Sequence, residues 1–344
     1  MSSARIVTVT SPLLDLGYLC ELFDDGTKMI PFLLRRFLLA LLTLFGVVLL
    51  VFVMVRLVPG DVVTNLVGID AHPTPEQLAN LRRLFGLDLP IHVQFGKWFG
   101  ALLAGDLGES LRTNRSIAGD LALRLPVTLE LTVLALGTAL VIAVPLGVLA
   151  AVRRGKSADY AASLFALAGL AAPNFWLAIL FILLFSLRLR LLPSGGYVLF
   201  TENPLENLRH MILPALSLGL SLAAATTRIT RSSLLEVLSL DYVRTARSKG
   251  LAERVVVYRH ALKNALIPVV TVIGLQVGTL LGGAIIIEEI FGLPGIGRFA
   301  LEGINLRDYP VVQGAVLIVA GAFVLVNVLV DVLYATIDPR MRYD

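Results

Sequence analysis

The chain has 344 residues, of which 57% are hydrophobic and 16% charged, with a net charge of +4 and one cysteine. Its mean hydropathy is +0.84, whereas soluble domains are roughly 45–50% apolar and about 25% charged. That excess cannot be hidden in one soluble core, so an ordinary soluble enzyme, a disordered chain and a disulfide scaffold are excluded, and the bilayer is the solvent to assume.

Residues 1–30 stand apart as an N-terminal extension, because Asp15, Glu21, Asp24 and Asp25 interrupt its apolar stretch. With no basic start and no small-residue cleavage site, it is not a cleaved signal peptide. Two readings stay open, a surface helix or a true start at Met29. The lone Cys20 permits no internal disulfide. His72, His92, His210 and His260 fall in separate segments and suggest no metal site.

Beyond the extension, six runs lack Asp, Glu, Lys and Arg. They lie between Arg36 and Arg56 (19 residues), Glu130 and Arg153 (22), Asp159 and Arg188 (28), Arg209 and Arg228 (18), Lys263 and Glu288 (24), and Asp308 and Asp331 (22). A helix needs about 20 residues to cross a hydrocarbon core of about 30 Å. Each run spans once and none spans twice, so the chain is expected to be an all-α membrane protein with six transmembrane helices. Placing both termini in the cytoplasm puts 17 Lys/Arg on the inner side against 5 in the short outer loops, which fits the positive-inside rule. The expected organisation is transmembrane helix 1 over 31–58, an extracytoplasmic segment over 59–126 and a core of helices 2–6 over 127–344.

The segment 59–126 is too long for a mere connector. Pro59-Gly60 end the first helix, and Thr74-Pro75-Glu76 open an amphipathic stretch through Leu84, with Thr74 as N-cap and proline at the first helical position. A small extracytoplasmic helical insertion is expected here.

Three short motifs imitate nucleotide sites. Gly155-Lys156-Ser157 resembles the end of a phosphate-binding loop, but Ala150 stands where the first glycine belongs and the stretch leaves a membrane helix, not a strand. Gly295-Ile296-Gly297-Arg298-Phe299-Ala300 has no βαβ unit around it, so its glycines are read as turn formers. Ser194-Gly195-Gly196 is placed outside, after Pro193.

The informative segment lies between helices four and five, within 232–265. It reads Asp241-Tyr242-Val243-Arg244-Thr245-Ala246-Arg247-Ser248-Lys249-Gly250-Leu251 and continues to His260-Ala261-Leu262-Lys263-Asn264-Ala265-Leu266-Ile267-Pro268. Tyr242 and Ala246 are four apart and share a helix face, and Gly250 ends the helix where no side chain is wanted. Composition leaves two readings open, a small-sided helix pressed into a groove of another protein, ringed by Arg244, Arg247 and Lys249, or a polybasic loop on lipid headgroups.

This loop resembles the ATPase-coupling motif of bacterial ABC-importer permeases, E-A-A-x-x-x-G. Here Arg244-Thr245-Ala246 precedes Gly250 with Arg in place of Glu and Thr in place of the first Ala. These departures resemble the dipeptide/oligopeptide (peptide/nickel) permease branch, with its Y-V-R-T-A-R-x-K-G loop followed by H-A-L-x-N-A-L-x-P. Further matches are Leu57-Val58-Pro59-Gly60-Asp61, Leu84-Phe85-Gly86-Leu87-Asp88, Gly105-Asp106-Leu107-Gly108, Phe291-Gly292-Leu293-Pro294-Gly295-Ile296-Gly297, Arg307-Asp308-Tyr309-Pro310 and Asp338-Pro339-Arg340.

The resemblance implies a type I importer permease in the bacterial inner membrane, forming half of a solute pathway with a second homologous permease. Two ATP-binding subunits, holding ATP and Mg, would drive it, and an extracytoplasmic binding protein would deliver a peptide or related solute. This chain would be neither an enzyme nor a cofactor protein. Tyr242, Arg244, Thr245, Ala246, Arg247, Lys249, Gly250 and Leu251 would form the coupling site. Segment 59–126, helped by 288–309, would be the binding protein's platform.

For the pathway, Asn174, Gln276, Asn327 and Asp331 are the candidate polar residues, the last two sharing a helix face. Hydrogen bonds between helices are the favoured reading of each. Glu288 and Glu289 read either as contacts for a peptide amino terminus or as outer-surface charges. A secondary transporter would usually carry ionisable residues near mid-membrane, whereas Glu130 and Asp331 lie near span ends. An intramembrane hydrolase would need a nucleophile–base pair within the bundle, and the spans offer none.

Overall fold

The structure is a computed structural model that describes residues 26–57, 88–337 and five positions between 74 and 83. The expectations for residues 1–25, for 58–61 and for Asp338-Pro339-Arg340 lie outside the described residues. No strand occurs among the described residues, and the helices follow one another in chain order.

Helix α1 (Gly26–Leu57) carries the first apolar run. At its far end α2 (Ile91–Leu103) lies against it through rings, Phe95 on Phe45 and Phe52, Trp98 on Phe52 and Phe99 on Phe45. The Gln94 carbonyl accepts from Arg56 at 2.8 Å beside them. Upstream, the Gln77 N–H donates to Thr74 Oγ1 at 3.3 Å and the Thr74 N–H to Gln77 Oε1 at 2.9 Å. This reciprocal pair is a capping box, as the placing of Thr74 as N-cap anticipates.

Helix α3 (Ile117–Val152) starts at the Ser116 cap and runs through Pro126 and Pro145. The expected boundary between 126 and 127 therefore falls inside a continuous helix. Pro126 lies in the third turn, and packing of Ile117 and Leu121 against the far end of the bundle holds the turns before it.

The third apolar run is not one straight span. It divides into α4 (Ser157–Ala171) and α5 (Asn174–Phe181), the latter continuing as a π-helical turn over Ile182–Arg188, and the two halves meet at 102°. Pro173 has no N–H to continue the ladder and holds Ala172 extended at φ −80°, ψ 121°. Among the described residues there are thus five unbroken candidate spans, and a sixth if the bent pair crosses once.

Helix α6 (Pro204–Leu238) is the centre of the bundle, with 61% of its apolar window buried against 17% for α1. It packs on α3 and α8 above all. The approach is close because small residues line it. A Cβ on Gly219 would stand 2.7 Å from the Ala135 carbonyl oxygen, and one on Gly147 would stand 2.6 Å from Thr230 Cβ. Small residues do the same work between membrane helices generally, since lipid offers no hydrophobic drive to association.

After α6 come α7 (Asp241–Ser248), a turn over Glu253–Val255, a π-helical turn over Val256–Ala261 and α8 (Leu262–Phe291). Helices α9 (Ile296–Leu306) and α10 (Tyr309–Ile337) complete the described residues.

Candidate functional site

Helix α7 lies at one end of the bundle, where α3 and α6 finish and α8 begins. Its Val243 and Ala246 are buried, at 0% and 8% exposure, in a cluster with Val148, Leu234, Val256, Val257, Ala261 and Ala265. The face holding Ala246 is therefore turned into its own chain. Of the two residues that share a face by spacing, Ala246 is thus buried within its own chain and Tyr242 is exposed, at 40%. In an eight-residue helix that is otherwise polar, Val243 and Ala246 are the apolar pair that gains most from burial.

The Tyr242 ring is exposed, but its hydroxyl turns back toward the start of α8. The hydroxyl donates to the His260 carbonyl at 3.3 Å and accepts from Asn264 Nδ2 at 2.9 Å. The outward face carries Asp241, Arg244, Thr245 and Ser248, spaced i, i+3, i+4, i+7 and all exposed. Thr245 Oγ1 donates to the Asp241 carbonyl at 3.0 Å and Ser248 Oγ to the Arg244 carbonyl at 3.0 Å. Both hydroxyls thus fold back onto the helix and leave it flat.

Arg244 pairs with Asp241 at 3.1 Å, and Arg247 makes two bonds to the Glu253 carboxylate, at 3.1 and 2.7 Å. That fork raises the Arg247 guanidinium further above its ordinary value. Lys249 and Leu251 are exposed. Gly250 has φ +75° and nothing within 4 Å of where a Cβ would be. Its requirement is the left-handed backbone at the helix C-terminus, rather than a lack of room.

The pathway candidates do not converge. Asn174, at the start of α5, accepts a short hydrogen bond from Ser221 of α6. Gln276 of α8 accepts from Thr226 of α6 at 3.3 Å. These two therefore meet α6 at different heights and not each other. Asn327 is half-buried on α10, and Asp331 lies on the same helix, its side chain outside the described residues.

At the opposite end the structure assembles a junction that sequence reasoning missed. Glu288 is fully buried, which overturns both readings offered for it. Its Oε1 accepts from Thr128 Oγ1 at 2.6 Å, its Oε2 accepts from the Arg298 N–H at 3.0 Å, and the Gly297 N–H also bonds the carboxylate. Thr128 Oγ1 in turn accepts from the Ile296 N–H at 2.9 Å. A carboxylate with its threonine thus satisfies the free N–H groups of α9, where the helix dipole favours negative charge.

The neighbouring glycines are explained by the same junction. A Cβ on Gly295 would land on the Glu288 carboxylate, and one on Gly297 would stand 2.6 Å from Ile285 Cα. Beside them, Asp308 is 2% exposed and accepts from Ser110 Oγ at 2.6 Å and from the Leu111 N–H at 3.3 Å. The turn at Ser110-Leu111, just past the 105–108 motif, is thereby held on the 307–310 motif. Two carboxylates at the edges of apolar runs, Glu288 and Asp308, are the available signal, because such a residue is rarely buried unless it is paired.

The two other nucleotide mimics also find structural roles. Asp159 Oδ2 accepts the Gly155 N–H at 2.9 Å while the carboxylate holds Arg231 through bonds of 2.5 and 2.9 Å, so Gly155-Lys156-Ser157 is the latched turn between α3 and α4. Gly196 donates to the Phe291 carbonyl at 2.8 Å, and a Cβ on Gly195 would stand 2.6 Å from that oxygen.

Five long apolar helices and a helical elbow among the described residues define a multi-pass helical membrane protein. Residues 143–343 match the family described as binding-protein-dependent transport system inner membrane component, and residues 29–132 match its N-terminal counterpart. The dipeptide transport system permease protein DppB of Alkalihalophilus pseudofirmus is 43% identical over 335 residues, covering 92% of this chain and 100% of that protein. DppB of Escherichia coli K12 is 44% identical over 338 residues, covering 92% and 99%. A putative peptide transport system permease protein of Brucella abortus is 43% identical over 316 residues, covering 92% and 100%. Among solved structures, an inward-facing MetNI methionine ABC transporter matches 64% of this chain and 96% of its own at 19% identity, with a TM-score of 0.49.

The chain belongs to the family of binding-protein-dependent transport system inner membrane components. It is a transporter permease subunit and not an enzyme, with the ATPase on separate subunits.

Proposed function

We propose that this chain forms half of the transmembrane pathway of an importer for dipeptides or short peptides. The other half is a second homologous permease, two ATP-binding subunits carry ATP and Mg, and an extracytoplasmic protein delivers the solute. The coupling-loop end faces the cytoplasm, as do both termini. Segment 59–126 and the 288–309 loop receive the binding protein.

The observation that carries this reading is the build of α7. It stands on an apolar cluster of its own chain and turns a flat polar face outward, on Asp241, Arg244, Thr245 and Ser248. Such a face fits a cleft on an ATP-binding subunit, and nucleotide-driven closure there moves the helix as a rigid body. Both rest on the family's binding-protein-dependent chemistry, and the dipeptide assignment on the 43–44% identity to the two DppB proteins.

The test is reconstitution of the full transporter in liposomes with labelled dialanine. Wild type takes up the dipeptide only with ATP and binding protein. Thr245→Trp, placed on the outward face, releases the ATP-binding subunits and abolishes uptake while insertion remains intact. Uptake that persists without ATP, or a Thr245→Trp variant that transports normally, rejects the proposal.

A further inference from the structure

Helix α7 meets the start of α8 in two ways. The apolar contact of Val243 and Ala246 with Val256, Val257, Ala261 and Ala265 holds the helices together without specifying an angle. The Tyr242 hydroxyl is directional. It donates to the carbonyl of His260, in the π-helical turn, and accepts from Asn264, in the first turn of α8.

Position and chemistry set Tyr242 apart from its neighbours. The other polar side chains bonded on α7 bind α7 itself or the turn just after it. Arg244 and Thr245 bind Asp241, Ser248 binds the Arg244 carbonyl, and Arg247 binds Glu253. Tyr242 alone among these reaches across to α8, 22 residues further on. The place it reaches is a π-helical turn, a local widening of the helix that is frequent at functional sites and one of the identifiable causes of helix kinks. The same root of α8 is tied to α6 on its other side, where Ser233 Oγ donates to the Ala265 carbonyl at 2.8 Å.

We infer that Tyr242 is a positioning residue that, through Asn264 and the His260 carbonyl, transmits a displacement of α7 to α8 across the 256–261 turn, instead of contacting the ATP-binding subunit. This assignment rests on the coupling role proposed for α7 and says which of its residues faces which way. It accounts for the tyrosine, since phenylalanine keeps the ring but can neither donate nor accept. It also accounts for Asn264, whose amide supplies the donor.

The test uses the complete transporter in liposomes, with labelled dialanine as probe. ATP hydrolysis, uptake and co-purification of the ATP-binding subunits are measured for Tyr242→Phe, Asn264→Ala and the double variant. A net hydrogen bond contributes about 0.5–1.5 kcal/mol, so dipeptide taken up per ATP hydrolysed is expected to fall roughly 2- to 10-fold in each single variant. The double variant should fall no further than the more affected single, and all three should keep the ATP-binding subunits. Unchanged uptake per ATP in both single variants overturns the inference, as does release of the ATP-binding subunits by Tyr242→Phe, which makes Tyr242 a docking contact. Arg244→Glu separates the two levels. If that variant retains the ATP-binding subunits at the wild-type level, the docking reading of α7 fails, whatever Tyr242 does.

Discussion

The two ends of this bundle use the same residue types for opposite purposes. At the 288–309 end, charge is buried and glycine is a matter of room, because Glu288 and Asp308 sit inside the protein and a Cβ on Gly295 or Gly297 has nowhere to go. At the α7 end, charge is exposed and glycine is a matter of backbone angle, because Gly250 has open space around it and φ +75°. One end is a frame in which Thr128 and Glu288 accept the N–H groups of Ile296, Gly297 and Arg298 within the same chain. The other presents charges whose bonds are short-range and exposed, which suits a surface awaiting a partner. A family motif therefore does not by itself say whether its glycine marks a junction or a docking helix; the space around it does.

This contrast can be broken in order of expected effect. Gly297→Val should be the most damaging, since the side chain must displace the α8 backbone at Ile285 and the Glu288 carboxylate. Overpacking of this kind costs about 3 kcal/mol or more, visible as loss of monodisperse protein on size exclusion. Glu288→Gln comes next. It replaces a charged acceptor by a neutral amide facing N–H donors, with an expected loss of about 2–3 kcal/mol, read as a lowered Tm in detergent with ATPase docking unaltered. Ser110→Ala leaves one oxygen of the buried Asp308 without its hydroxyl donor and should cost about 1–2 kcal/mol, in the same measurement.

At the other end the stability effects should shrink while the functional ones grow. Gly250→Ala should cost about 1 kcal/mol from the left-handed backbone alone, detected as faster amide exchange over 241–250, and Gly250→Asn should recover part of it. Arg244→Ala removes only an exposed pair with Asp241, and its stability effect should stay below about 0.5 kcal/mol, yet co-purification of the ATP-binding subunits should drop. If Gly250→Ala proved as destabilising as Gly297→Val, the distinction between room and angle would collapse.

How much was legible beforehand differs between the two ends. The motif Tyr242–Leu251 and its helix were readable, because an acidic N-terminal turn at Asp241 and a glycine past the last turn are local signals. Which way that helix faces was not. Spacing groups Tyr242 with Ala246, but that Ala246 is buried while Tyr242 stays exposed depends on the remote residues Val148, Val257 and Ala265. Asn174 and Gln276 were recognised as polar residues inside spans, and their partners Ser221 and Thr226 lie 47 and 50 residues away in sequence.

By itself the sequence determined that this is a multi-pass helical membrane protein, where its apolar segments lie and which family it joins. The first two follow from the cost of placing charge in hydrocarbon and from local helix signals, both of which act residue by residue, and the family follows from the resemblance of motifs such as Tyr242–Gly250. Only the tertiary structure decided that the Asp159–Arg188 run bends by 102° instead of crossing straight, that Glu288 is buried, and that Ala246 faces inward. Each of those depends on which distant surfaces meet, and packing between helices is cooperative in a way that no single segment records.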